Sequence, residues 1–372
     1  MTKNQDNFLR YEEAFHGNDR KESRMERKQA IKNDRSKYKK TDQDKLKKKM
    51  PAIETLSETA LRGRVLGIYP EGIQVQEDGG AKTLYRCQIK GSLKKEKTTS
   101  KNLVAVGDFV FFEPREETSG LIFKVEPRKS VLSRADNLLR RKEQLIAVNI
   151  DQVIITSSFA FPSMKPFLID RYIIAAQKGN MDPIIVINKI DLLEEGDEAE
   201  KELLIAAEKA YKDLAIPFLK VSVRTGEGIA ELKKIMQEKA SVFSGQSGTG
   251  KSSLINAILG SNLKTGDVVG STLKGSHTTT TTKLLPLEGG GLCIDTPGIK
   301  SFGVWALKQT EIEQYFTEIA DTALRCKFQG CAHDSEPSCA VKEAVENGEI
   351  SFIRFSSYLT LLETLKVKHR NR

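Results

Sequence analysis

The chain has 372 residues, which is too long for one average domain and predicts two or three folded units. Its net charge of +9 lies mostly near the beginning, because residues 1–50 hold 16 Lys/Arg against 9 Asp/Glu. No run of about 18 apolar residues occurs, so the sequence argues against a membrane span, and no secretory signal is recognised at its start. Three of the five cysteines lie between positions 326 and 339, which favours metal binding in a reducing cytoplasm over disulfides.

Residues 1–55 are predicted to form a basic extension that is disordered in the free protein. Their scattered apolar side chains cannot bury enough surface to offset the entropy lost on ordering. A solvated tail and an arm that neutralises phosphates on a polyanion explain this composition equally well.

Residues 60–130 are predicted to form a small all-β barrel. They contain five short runs of alternating apolar residues, separated by Gly, Asp and Lys turns. The runs are Gly63–Ile68, Gly72–Val75, Thr83–Cys87, Asp108–Phe112 and Gly120–Val125. A five-stranded barrel of this size is expected to be of the oligonucleotide-binding (OB) kind, although a purely structural barrel remains an alternative. The lysine-rich segment 90–101 has no aromatic residue, which favours phosphate contact over base stacking.

Residues 150–310 are predicted to form a parallel sheet covered by helices, because apolar runs alternate with helical patterns. The predicted strands are Val153–Ile155, Ile184–Ile187, Phe218–Val221, Ser241–Phe243 and Leu292–Ile294, and the predicted helices lie near 167–178, 198–214, 228–238 and 251–260. Residues 311–372 predict two further helices, 311–325 and 352–366, on either side of a Cys/His cluster, and then a basic tail.

A glycine-rich segment connects the strand at 241–243 to the helix near 251, as a phosphate-binding loop requires. Its glycines let successive N–H groups point at the α- and β-phosphates at the positive end of the helix. Lys251 is expected to reach the β- and γ-phosphates, and Ser252 to ligate Mg²⁺. The predicted phosphate-binding residues are Gly245, Gln246, Ser247, Gly248, Thr249, Gly250, Lys251, Ser252 and Ser253.

A second motif, Asn188-Lys189-Ile190-Asp191, follows the 184–187 strand and is expected to read guanine. Asp191 would accept hydrogen bonds from guanine N1–H and the exocyclic amine, whereas adenine would leave this carboxylate unpaired at a cost of several kcal/mol. The Lys189 stem would lie along the purine ring, and Asn188 would brace the loops. The segment beginning at Ser222 could present backbone N–H groups to guanine O6. Alone, the Asn188–Asp191 motif is weak evidence for guanine binding, and it becomes strong evidence beside a phosphate-binding loop.

Two more segments are expected to contact the γ-phosphate. In Asp295-Thr296-Pro297-Gly298, Asp295 would hold Mg²⁺ through water and the Gly298 amide would sense the γ-phosphate. His277 and the threonines at 278–282 occupy the place of the first switch loop. One threonine is expected to complete the Mg²⁺ shell, but the sequence does not indicate which, and a plain low-complexity loop is the alternative.

The three nucleotide-binding motifs are intact, but their order along the chain is circularly permuted. The guanine-reading motif precedes the phosphate loop and the Asp295–Gly298 segment, whereas in ordinary GTPases it follows both. The chain therefore resembles the circularly permuted ribosome-assembly GTPases of the small-subunit-dependent GTPase A family. The resemblance implies a multidomain protein with an N-terminal OB-like barrel, a central α/β P-loop GTPase domain and a C-terminal α-helical zinc-binding domain. It also implies slow GTP hydrolysis that the small ribosomal subunit and its rRNA stimulate, late in subunit maturation. GTP and GDP are the expected ligands, and a monomer away from membranes is the expected state.

The residue that positions the attacking water is assigned through the resemblance. Ile299 stands where Ras-like proteins carry a glutamine and cannot hold a nucleophile. In the family, the histidine of a Gly-Arg-His-Thr-Thr-Thr run is the usual candidate, and His277 occupies that place. Ser276 here replaces the arginine, and the alternative that His277 only orders the loop stays open.

Cys326, Cys331, His333 and Cys339 follow the spacing C-x4-C-x-H-x5-C and predict one structural Zn²⁺. Three thiolates and one imidazole close a tetrahedral shell and leave no position for a catalytic water. The resembled family shares this spacing.

Three functions stay open on the sequence. The first is a GTPase that assists or checks late maturation of the small subunit. The second is a GTPase that acts on mature ribosomes in translation control. The third is a nucleotide-gated RNA-binding protein whose hydrolysis is negligible because Ile299 replaces glutamine. In each, the second switch (295–303) leads directly into the C-terminal module, so γ-phosphate loss is expected to move that module relative to the barrel.

Overall fold

A computed structural model describes residues 59–79, 82–91, 93, 103–116, 118–135, 143–260, 282–295, 307 and 311–370. The basic extension, His277, the threonines at 278–281 and residues 296–300 lie outside the described residues, as does the side chain of Asp295. Within the described part, none of the helices combines the length and apolar content that spanning a bilayer requires.

The first five strands close into the predicted barrel. They are β1 (Leu61–Tyr69), β2 (Gly72–Glu77), β3 (Leu84–Ile89), β4 (Phe109–Glu116) and β5 (Ser119–Val125). Neighbouring strands follow the order β1–β2–β3–β5–β4, and β4 pairs again with β1. Only the β3–β5 pairing in this ring is parallel. Inward-facing side chains fill the interior, including fully buried Val65, Val110 and Phe112. The OB-like barrel is therefore confirmed.

The central domain is a mostly parallel sheet with helices against it, as predicted. Its strands are β8 (Gln152–Ser158), β9 (Asp182–Asn188), β10 (Phe218–Lys220), β11 (Ala240–Gly245), β12 (Lys283–Pro286) and β13 (Leu292–Asp295), in the spatial order β10–β9–β8–β11–β13–β12. The helices are α1 (Pro166–Lys178), α2 (Glu198–Asp213), α3 (Ile229–Met236) and α4 (Lys251–Leu259). The continuous apolar runs follow from burial on both faces, as at Val153, Ile154 and Ile155.

The ends of the helices follow from local chemistry. Pro166 stands at the start of α1, where its fixed φ suits a helix and its missing N–H is not needed. The Asp197 side chain accepts a hydrogen bond from Glu200 N at 2.7 Å and so caps the start of α2. Gly260 ends α4 in the left-handed region, at φ 64°.

Two elements of this region are not predicted from the sequence. One is the hairpin β6 (Val131–Ala135) and β7 (Glu143–Val148), between the barrel and β8. The other is β12, which runs antiparallel to β13 on one side and to β1 on the other, where Gly67 faces Lys283. Through β12, the barrel and the central strands form one continuous eleven-stranded sheet.

The C-terminal residues form three helices, α5 (Thr317–Ala323), α6 (Ala340–Glu346) and α7 (Phe352–Arg370). The helix predicted over 311–325 is shorter than expected, because a 3-10 turn at Glu313–Tyr315 precedes α5. Helix α6 was not predicted. The core of this module contains Phe316, Ile319 and Val341, and it also takes in Ile174 from α1.

A buried arginine fastens this module to the central domain. Arg354 of α7 is 2% exposed and donates to Asp170 Oδ1 of α1 at 2.5 Å and to Glu318 Oε1 of α5 at 2.8 Å. Its guanidinium also lies 4.2 Å from the centre of the Phe316 ring. Burial raises the pKa of Asp170, while the Arg354 charge opposes that rise. The pair is therefore a buried charge contact on which the docking of α7 against α1 depends.

We predict that Arg354→Ala lowers the free energy of unfolding by about 3–5 kcal/mol, because it leaves the Asp170 carboxylate buried without its partner. Chemical denaturation followed by circular dichroism measures this change. Arg325→Ala is the matched control, since Arg325 is 64% exposed and pairs with Glu349 only at 3.6 Å. Its loss is expected to cost less than about 1 kcal/mol. Equal effects of the two variants would contradict the prediction.

Candidate guanine-nucleotide site and metal cluster

The glycine-rich loop has the backbone of a phosphate cradle. Strand β11 ends at Gly245, and α4 begins at Lys251. Gly248 and Gly250 have φ of 86° and 87°, in the left-handed region that side-chain-bearing residues rarely adopt. A Cβ atom on Gly250 would overlap Asn188 Nδ2, so glycine is needed there for space as well as for conformation.

Lys251 lies folded back over the loop that precedes it. Its Nζ donates to Gly245 O at 2.8 Å and to Gln246 O at 2.6 Å. Burial lowers the pKa of Lys251 to about 8. Among the described residues, the hydrogen bonds of this ammonium go to carbonyl oxygens, which leaves its charge available to an anion in the loop.

The guanine-reading motif and the phosphate loop are joined by a hydrogen bond. Asn188, the last residue of β9, donates from Nδ2 to Thr249 O at 2.9 Å. The Thr249 hydroxyl in turn donates to Gln246 O at 3.0 Å. Both Asn188 and Thr249 are buried, so the bond is shielded from competing water. The spacing between the two motifs is thus fixed by the protein itself.

Asp191 is oriented by its neighbours. Its Oδ1 accepts from the Ser222 hydroxyl at 2.6 Å, and its Oδ2 lies 3.5 Å from a guanidinium nitrogen of Arg224. The N–H of Ser222 donates to Glu227 O at 3.0 Å, so Ser222 itself does not offer this group to guanine O6. Its hydroxyl is committed to Asp191 instead, which the sequence did not indicate.

The remaining candidate residues lie on several elements of the central domain. Lys189 has φ 63° and donates from Nζ to Phe161 O, and the neighbouring Ile190 is buried. Ser252 and Ser253 lie in the first turn of α4. Asp295 ends β13, beside β11. Gly298 and His277 lie outside the described residues, so the structure does not bear on their assignment.

The predicted metal ligands converge. The ligand atoms of Cys326, Cys331, His333 and Cys339 all lie within 4.8 Å of one another. His333 Nδ1 is 3.4 Å from Cys339 Sγ and 3.7 Å from Cys326 Sγ, and the two sulfurs are 3.9 Å apart. Tetrahedral sulfur ligands at 2.3 Å from a shared metal would lie roughly 3.8 Å apart, so the donor set fits one metal ion.

The surroundings of His333 support this fit. Its Nε2 lies 3.7 Å from a carboxylate oxygen of Glu313, on the side away from the cysteines. Such a carboxylate behind a histidine is the arrangement that fixes the ring of a metal ligand. The cluster therefore could hold a metal ion.

A relative in Chlorobaculum parvum, named small ribosomal subunit biogenesis GTPase RsgA, is 42% identical over 289 residues, which cover 75% of this chain and 91% of the relative. The chain belongs to the RsgA GTPase family. A family model for the RsgA GTPase matches residues 125–305. A relative of the same name in Bacteroides fragilis is 36% identical over 82% of this chain and 96% of its own.

Two solved structures share the RsgA architecture. YjeQ from Thermotoga maritima is 33% identical, with a TM-score of 0.66, over 82% of this chain and 98% of its own. YloQ, described as a circularly permuted GTPase, is 27% identical, with a TM-score of 0.66, over 84% of this chain and 96% of its own. Family membership makes the chain a GTPase and confirms the circular permutation inferred from motif order.

Three contacts at the nucleotide site were not anticipated from the sequence. They are the hydrogen bond from Ser222 to Asp191, the ion pair between Arg224 and Asp191, and the contact of Lys189 with the turn after β8. The available signal was topological. In a parallel sheet the loops at the carboxyl ends of neighbouring strands converge, so the turn after β8 must lie beside the loops after β9 and β11.

We predict that nucleotide binding takes up a proton above pH 8, because bound phosphates favour the charged form of Lys251. As the pH falls below 8 the free protein carries this proton to a growing extent, so the uptake declines and is negligible at about pH 6. At pH 8.5 the uptake should reach about half to one proton per nucleotide. Calorimetry in buffers of different ionisation enthalpy measures it. Lys251→Arg keeps the charge and should abolish the uptake; unchanged uptake in this variant would refute the assignment.

Proposed function

We propose that this chain hydrolyses GTP during biogenesis of the small ribosomal subunit and binds that subunit while doing so. The supporting observation is the hydrogen bond from Asn188 to Thr249, which joins a guanine-reading motif to a phosphate cradle at fixed spacing. The relatives' printed name, small ribosomal subunit biogenesis GTPase, supplies the partner. The metal-ligand thiols must stay reduced, which supports the cytoplasm as the compartment, and a monomer is the proposed state.

In the proposed complex, the backbone N–H groups of the loop and the N-terminus of α4 bind the α- and β-phosphates. Lys251 adds an ammonium that is already directed into the loop by two carbonyl oxygens. The Ser252 hydroxyl would ligate Mg²⁺, which when bound neutralises the charge between the β- and γ-phosphates. The proposed loop ligands are Gly245, Gln246, Ser247, Gly248, Thr249, Gly250 and Ser253.

Asp191 is the proposed reader of guanine. The Ser222 hydroxyl and Arg224 hold its carboxylate before the base arrives, so little reorganisation is needed on binding. Asp191 then accepts from N1–H and the 2-amine of guanine. Lys189 and Ile190 complete this end of the site, and the backbone after Ser222 is the proposed donor to O6.

The hydrolytic step is proposed from sequence alone. Ile299 has no polar group, and the family resemblance proposes His277 as the residue that orients the attacking water, while Asp295 and Gly298 are proposed to contact the Mg²⁺ shell and the γ-phosphate. If subunit-stimulated turnover is the same in His277→Ala as in the unaltered chain, the role of His277 is refuted.

Zn²⁺ is the proposed occupant of the Cys326–Cys339 cluster, in a structural role. We predict about one zinc per chain by elemental analysis, and a lower unfolding temperature after its removal by a chelator, because the thiolates and the imidazole then lose their common partner. Cys339→Ser should lose the metal. Cys293→Ser, which alters a buried thiol in β13 outside the cluster, should retain it. Full metal content in Cys339→Ser would contradict the assignment.

The function is tested by single-turnover hydrolysis of GTP and ATP, with and without purified small subunits. We expect GTP to be hydrolysed, ATP to be spared, and subunits to accelerate the reaction. Asp191→Asn should lower kcat/KM for GTP about 100-fold, because an amide cannot accept both guanine hydrogen bonds. Xanthosine triphosphate should then become the better substrate, since its 2-oxo group accepts from the new amide. Asp213→Asn, at the exposed end of α2, is the control.

Other outcomes would select the alternatives. No hydrolysis above background, even with subunits, would favour a nucleotide-gated RNA-binding protein. Equal stimulation by mature and immature subunits would favour a role in translation control. Absence of any guanine preference in the unaltered chain would overturn the proposal altogether.

A further inference from the structure

The turn between β8 and α1 lies between the two halves of the nucleotide site. Strand β8 is flanked by β9, which ends in the guanine-reading motif, and by β11, which ends in the phosphate loop. Two hydrogen bonds hold the turn in place. Ser158 Oγ donates to Pro162 O at 2.6 Å, and Phe159 N donates to Asn188 O at 2.9 Å.

Phe161 and Pro162 connect this turn to the two motifs. The Phe161 carbonyl oxygen accepts from Lys189 Nζ, the ammonium of the guanine-reading motif. The adjacent Pro162 lies against the phosphate loop, since a Cβ atom on Gly248 would be 3.4 Å from Pro162 Cδ. The turn at Phe161 and Pro162 therefore lies between Lys189 of the guanine-reading motif and the phosphate loop.

The Phe161 ring is left unburied in a backbone conformation that is rare for phenylalanine. It is 77% exposed, in contrast to its neighbour Phe159, which is 2% exposed and belongs to the core. Its φ is 44°, in the left-handed region where bulky residues are uncommon. Neither packing nor backbone preference accounts for a large aromatic side chain at this position.

We propose that Phe161 is a nucleotide-binding residue whose ring packs on the nucleoside, base or ribose, of the bound guanine nucleotide. The inference rests on the proposed function. The Lys189 stem is expected to lie along the purine, and the Phe161 carbonyl holds the end of that side chain, so Phe161 lies at the guanine-reading end of the proposed site. An exposed aromatic ring beside a base site is a stacking surface that nucleotide binding would cover.

This role predicts a particular pattern of affinities. Every base has a π-face, so stacking adds affinity without selecting guanine. The contribution is also the same for GTP and GDP, because both carry the same nucleoside. Asp191, in contrast, determines the ratio between guanine and adenine nucleotides. The two residues can therefore be told apart by which quantity their substitution changes.

The test is calorimetric binding of GTP and GDP to the full chain and its variants. Phe161→Ala should raise Kd for both nucleotides by the same factor, about fivefold or more, with no change in the guanine-to-adenine ratio. Phe161→Tyr keeps the ring and should restore binding. Phe352→Ala is the matched control, because Phe352 is 72% exposed at the start of α7. Its Kd values should equal those of the unaltered chain.

A fluorescent variant gives an independent readout that does not require the ring to be removed. Phe161→Trp should change its emission on GDP addition, and comparison with the unaltered chain subtracts the signal of Trp305, the only native tryptophan. This arm also covers the case in which Phe161→Ala fails to fold. An emission insensitive to GDP would then count against the proposal.

Three outcomes distinguish failure of this inference from failure of the proposed function. Unchanged Kd values in Phe161→Ala, with normal GTP binding by the unaltered chain, would overturn the inference and leave the proposed function intact. No GTP binding by the unaltered chain would overturn the function itself. Normal nucleotide Kd values with loss of stimulation by small subunits would assign the ring to subunit contact and also overturn the inference.

Discussion

One buried hydrogen bond joins the two halves of this nucleotide site. Asn188 and Thr249 are 61 residues apart in the chain, and their bond holds the guanine-reading motif against the phosphate loop. The guanine-reading motif precedes the phosphate loop, so chain connectivity alone would not bring the two together in the arrangement of an ordinary GTPase. The strand order β9–β8–β11 brings them together instead. Because the sheet supplies this spacing, the permuted chain order is compatible with the same chemistry.

The elements that the sequence predicted are those whose signals are local. The loop from Gly245 to Lys251 combines left-handed glycines, a preceding strand and a following helix within one short segment. The cysteine and histidine spacing is similarly local, and the four ligands converge as expected. Strands β8 and β9 are predicted correctly because a continuous apolar run indicates a strand that is buried on both faces of a parallel sheet.

The elements that the sequence missed depend on distant partners. Strand β12 has four residues and is an extended segment because β1 and β13 supply its hydrogen bonds. Helix α6 has seven residues and depends on burial of Val341 and Ala344. Arg354 and Asp170 are 184 residues apart, and an isolated basic residue in a helix carries no signal of such a partner. The Phe161 turn was missed for the same reason, since only the sheet brings it next to Lys189.

The placement of Arg354 changes how the nucleotide state could reach the rest of the molecule. The expectation from chain order was that the C-terminal module follows the second switch and moves against the barrel. Within the described residues, Arg354 ties α7 to α1, a helix that packs beside β8 and β9. Strand β12 begins directly after the threonine run and pairs with β1 of the barrel where Lys283 faces Gly67. The β1–β12 pairing therefore connects the chain directly after the threonine run to the barrel, whereas displacing the C-terminal module would require separating a buried charge pair.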